Sequence, residues 1–110
     1  MKAWELLDSP EKWSCGSFAR DKYCLPIGIF TKAACSYCAV GAIRKAYKAS
    51  NRPEIIRKLG IHLLANMKEK DPSFSFRENA GTQYYSNVIF TWNDTTGWYA
   101  VYTTMKELDI

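Results

Sequence analysis

Apolar residues between positions 34 and 49 recur as Cys35, Cys38, Ala39, Ala42, Ile43, Ala46 and Tyr47. That spacing marks one face of an amphipathic α-helix. Arg44, Lys45 and Lys48 fall off the face, so the pattern predicts a slim helix over 34–49 that a neighbour can approach closely. Asn51-Arg52-Pro53-Glu54 then reads as a helix start, with a polar cap, an early proline and an acid in the first turn. Ile56, Leu59, Leu63 and Met67 form the second apolar stripe. Gly60 interrupts it at a cost of about 1 kcal/mol relative to alanine, which predicts a kink or break. The short link between the two stripes predicts an antiparallel helix pair.

The flanks carry weaker patterns. Residues 2–8 read as a short helix with Trp4, Leu7 and Leu6 inward. Ser9-Pro10-Glu11 adds a turn leading to Trp13. Residues 14–33 are irregular, with Ile27, Ile29 and Phe30 as a brief strand or buried loop. Residues 69–83 read as a polar loop pinned by Phe74 and Phe76. The β-branched and aromatic run 88–92 predicts a strand, Asn93-Asp94-Thr95-Thr96-Gly97 a turn, and 98–102 a second strand. Trp98, Val101, Met105 and Leu108 are also spaced for a helix, and Thr104-x-x-Glu107 resembles a capping box before a final helical turn. Together the elements predict an α+β fold: a mostly helical single domain over 1–110, built on the antiparallel pair with a small β-hairpin or strand pair.

Length and composition agree. A chain of 110 residues is one domain's worth and can bury a core unaided. With 47% hydrophobic and 24% charged residues it is ordinary globular material. The longest apolar runs are too short to span a bilayer, and no secretory signal is expected at the start. A cytoplasmic location follows as the expectation.

Charge narrows the picture further. The net +4 is local: residues 44–58 hold Arg44, Lys45, Lys48, Arg52, Arg57 and Lys58 against Glu54 alone. Such a segment can meet phosphates or an acidic partner. It can equally be a set of solvated cations satisfying a helix C-terminus. Tyr84-Tyr85 and Trp98-Tyr99 are adjacent aromatic pairs, of which one member each would face outward if in a strand. Exposed Tyr and Trp are enriched at protein interfaces.

Cys15, Cys24, Cys35 and Cys38 allow three readings. Buried thiols act as small hydrophobes. Four thiolates hold zinc, although only Cys35 and Cys38 have a ligand-like spacing. A thiol at a helix start, here Cys35, is a potential nucleophile, with His62 as the only histidine. The first reading is favoured, with no metal and no cofactor. No phosphate loop, dinucleotide fingerprint or paired-histidine motif occurs.

Several of these residues combine into a wider signature. Trp13-x-x-Gly16-x-Phe18-Ala19-Arg20-Asp21, then Ala34-Cys35-x-x-Cys38-Ala39-x-Gly41-Ala42-Ile43, then Trp92-Asn93-Asp94 resemble a family of small bacterial and bacteriophage proteins of unknown function. The resemblance spans residues 4–108. That family usually has glycine at the position of Cys24 and a polar residue at that of Cys15, which weakens an inherited four-cysteine site. The resemblance implies an intracellular accessory protein, phage or prophage encoded, of the kind that inhibits a host defence system by binding. The resulting expectation is a small non-enzymatic protein that contacts a host or phage protein, such as a nucleic-acid-handling defence complex, through Arg44, Lys48, Arg52, Lys58, Tyr84 and Trp98. The alternatives are a zinc-stabilised or Cys35-dependent protein, or a nucleic-acid-binding module using 44–58.

Overall fold

The computed structural model describes residues 1–77 and 79–110. Two 3-10 turns, Ala3–Leu7 and Pro10–Lys12, open the chain. Strands β1 (Ala19–Arg20) and β2 (Ser36–Tyr37) pair antiparallel, Ala19 opposite Tyr37 and Arg20 opposite Ser36. Four helices follow: α1 (Ala39–Ala46), α2 (Arg52–Lys70), α3 (Thr82–Thr96) and α4 (Trp98–Glu107). The fold is mostly helical with one small sheet, as the α+β reading requires. Several elements lie elsewhere than the pattern places them.

The helix expected over 34–49 starts later. Residues 36–37 are claimed by β1, and the Cys35 amide donates to the Arg20 carbonyl at 2.8 Å. Cys35 is therefore exposed on an extended segment, not in a first helical turn. Cys38 caps α1 instead, its Sγ accepting from the Gly41 amide at 3.3 Å. From there the expected face holds: Ala39, Ala42 and Ile43 are fully buried.

The strand expected at 88–92, the turn at 93–97 and the strand at 98–102 are all helical. Tyr85, Ile89 and Asn93 recur every fourth residue on the buried face of α3, and Val101 and Met105 do so on α4. Burial of those stripes outweighs local β-propensity, worth about 1 kcal/mol at most. Thr104 and Glu107 lie inside α4 rather than at a helix start. The strand pair exists, but it joins 19–20 to 36–37.

Gly60 does not break α2, which runs continuously past it. The most extensive helix packing is between α2 and α3. Arg52 and Pro53 share a cleft with Thr82 and Gln83, while Met67 and Lys70 share another with Thr95 and Thr96. The connection between the two helices runs through Phe74 and Phe76. Both phenylalanines pack against the core, as expected. That core joins the first 3-10 turn, α1, the inner faces of α2, α3 and α4, and Ile110. No helix among the described residues is long and apolar enough to cross a membrane.

Candidate functional site

The signature residues of the sequence are structural. Asn93 is fully buried and all its polar capacity is used. Its Oδ1 accepts from Trp13 Nε1 at 2.9 Å and from the Ala39 amide at 2.9 Å. Its Nδ2 donates to the Ser14 carbonyl at 3.1 Å and to Asp94 Oδ1 at 3.0 Å. One amide thus ties the N-terminal segment, the start of α1 and the end of α3 together. Asp94 also accepts from the Gly16 amide at 3.3 Å.

Arg20 performs a parallel task. Its guanidinium donates to the Cys15 carbonyl (3.2 and 3.0 Å) and to the Cys24 carbonyl (2.8 Å). Asp21 Oδ1 accepts from the Tyr23 and Leu25 amides and closes the turn between them. Gly41 is dictated by contact: a Cβ there would stand 2.0 Å from the Phe18 carbonyl oxygen.

The thiols do not converge. Cys15, Cys24 and Cys35 are exposed and Cys38 is buried. Among the described residues no three His, Cys, Asp or Glu side chains come together as a metal site needs, so the zinc alternative has no ligand set. Cys38 lies with Asp94 on a cavity of about 410 Å³. Burial pushes its thiol up, opposed by backbone N–H bonds and reinforced by the Asp94 carboxylate. A thiol so held is a poor nucleophile. Cys35 Sγ contacts the Ala33 carbonyl at 3.3 Å, while His62 Nε2 meets Asn66 Nδ2 at 3.2 Å in α2.

The six expected contact residues do not form one surface. Trp98 stacks on Tyr102, centroids 5.5 Å apart, and donates from Nε1 to the Leu7 carbonyl at 2.7 Å, so it anchors the first turn to α4. Lys58 Nζ donates to the Leu108 carbonyl at 2.8 Å, capping the end of α4. Lys48 is exposed between α1 and α2. Arg44 and Arg52 do come together, in a cleft of about 310 Å³ against the first turn of α3. Arg44 lies 4.9 Å over the Phe18 ring, while Arg52 lies 5.7 Å and Lys45 5.4 Å over the ring of Phe30, which is 62% exposed. The only ion pairs among the described residues are Lys2–Asp109 and Lys12–Asp8, so these cations have no carboxylate partner there.

Tyr84 belongs to a different feature, a groove of about 620 Å³ between the C-terminal half of α2 and one face of α3. Its walls are Leu63, Leu64 and Met67 on one side, Val88 and Trp92 on the other, with Phe74 at one margin. Among the described residues Lys70 is the only charged one lining it. Thr95 and Thr96 bond their hydroxyls back to the carbonyls of Thr91 and Trp92, which leaves the wall largely apolar. Sequence reasoning missed this groove because it treats 88–102 as a hairpin. The fourfold spacing of Tyr84, Val88 and Trp92 is the signal that identifies it.

Comparison with protein families, curated proteins and solved structures finds no match for the chain.

Proposed function

We propose that the protein is a non-enzymatic binding protein, and that its partner is another protein seating an apolar segment in the groove between α2 and α3. The observation that carries this reading is an open apolar channel with a single cation at its edge. Contiguous exposed apolar surface on a small domain marks an interaction site. An occupant helix or strand would bury Met67, now 47% exposed, and Trp92, a residue type that dominates interface energetics. Lys70 favours an acidic group at the end of that segment. The buried, high-pKa thiol of Cys38 and the separate placement of Cys35 and His62 support binding rather than covalent chemistry. On this reading the protein works by occupancy, as an accessory factor of the phage or prophage kind blocking a host defence component would.

A photo-crosslinking side chain at Asn66, on the exposed rim, tests the proposal in cells that naturally carry the protein. One dominant protein adduct is expected. Met67→Glu, at an exposed position, should abolish it while leaving the melting temperature within a few degrees. Crosslinking that survives Met67→Glu, or none above the level of a probe at Lys22, would refute it.

A further inference from the structure

The cleft on the other side of the α2–α3 pair differs in chemistry. Arg44 and Arg52 line it, no carboxylate does, and neither arginine has an ion-pair partner among the described residues. Two guanidinium groups lining one small cavity present it with two positive charges. Both are already oriented: Arg44 by the Phe18 ring, Arg52 by its Nε bond to the Tyr47 carbonyl at 2.9 Å. Their terminal nitrogens stay available for the paired N–H···O geometry that phosphate accepts.

The opposite wall supplies neutral donors. Thr82 and Gln83 are the first residues of α3, and its cap, Gly81, has no side chain to satisfy their amides. A helix start of this kind favours anions. Ser86, one turn further on, also lines the cleft. It is only 8% exposed as a residue, and its hydroxyl is not among the buried atoms left without a partner, so it keeps accessible surface. A hydroxyl so placed is free to donate to an acceptor seated in the cleft. Ile56 and Phe90 give the cavity an apolar floor.

We infer that this cleft binds the phosphate group of a small ligand, held between Arg44 and Arg52 and the first turn of α3. A volume of about 310 Å³ suits a phosphate monoester with a compact, partly apolar body, not a polymer. The site is independent of the apolar groove, and either can fail without the other.

Calorimetric titration of the full chain tests it with inorganic phosphate, AMP, adenosine and a single-stranded oligonucleotide without terminal phosphates. Phosphate and AMP should bind and adenosine should not. Arg44→Gln, at an exposed position, should weaken AMP binding at least about tenfold, and Ser86→Ala several-fold. Lys68→Gln, on the far end of α2, should change nothing. Arg52→Gln adds a second test if its melting curve shows that it folds. Equal binding of AMP and adenosine, no binding of phosphate or AMP at millimolar concentration, AMP binding unaffected by Arg44→Gln, or binding of the oligonucleotide alone would each overturn the assignment.

Discussion

Gly60 and Tyr85 meet where α2 and α3 approach closely: a Cβ on Gly60 would stand 2.7 Å from Tyr85 Cδ1 and 2.8 Å from its Cβ. The glycine that looks like a helix breaker is a notch for a fully buried ring. Gly60→Ala should therefore destabilise the protein, although alanine is the better helix former by about 1 kcal/mol. Overpacking of this kind costs about 1–3 kcal/mol. Gly60→Ala and Tyr85→Phe melts compared with wild type check this; a stabilised Gly60→Ala would show that the ring yields freely.

Asn93→Leu should be among the most damaging substitutions. It leaves the Trp13 indole, the Ala39 amide and the Ser14 carbonyl without their partner. Each buried orphan costs roughly 1–3 kcal/mol, so a loss of at least ~3 kcal/mol is expected in denaturant titration. A loss below about 1 kcal/mol would mean that water replaces the amide.

Ala42→Arg should prevent folding, because Ala42 is fully buried on α1 and a charge cannot be solvated there. Lys48→Ala, at an exposed position, should shift stability by less than about 0.5 kcal/mol. Circular dichroism melts of the two variants separate these outcomes.

Stability should fall at alkaline pH. Burial holds the Cys38 thiol and the Tyr37 and Tyr47 phenols above their ordinary values, so each keeps its proton more tightly folded than unfolded. Such groups stabilise the fold fully below the unfolded pKa, about 8.5 for Cys and about 10 for Tyr, and lose that contribution as pH rises through the folded value. Melting temperature should be flat with respect to these groups at neutral pH and decline above ~8.5, less steeply in Cys38→Ala.

Thiol labelling of the native protein should be biphasic. Cys15, Cys24 and Cys35 are exposed and should react at once, while Cys38 should react only after unfolding. Chelator should leave the melting curve unchanged, since no ligand cluster forms among the described residues. A fourth fast thiol would contradict the cap position of Cys38.

Local periodicity made α1 from Ala39 onward, the α2 stripe and the 3-10 turns legible. It failed where a distant segment decides. Nothing near Ser36 announces pairing with Arg20, sixteen residues back, so Cys35 looks helical by spacing alone. In α3 the β-prone run of Val88, Ile89 and Phe90 is helical because Tyr85, Ile89 and Asn93 all find buried partners on one side. The phosphate cleft was half visible: Arg44 and Arg52 stand out as charge, but Thr82 and Ser86 reach them only through the path of the chain between α2 and α3.

The bond from the Ala39 amide to Asn93 Oδ1 has a practical consequence for solution spectroscopy. At an ordinary helix start the first amides exchange with solvent almost freely. Here one of them is sealed by a side chain 54 positions later in the chain. Its deuterium uptake therefore times the separation of α3 from α1 rather than the fraying of a helix end, and a single resonance becomes a clock for the opening of the whole assembly.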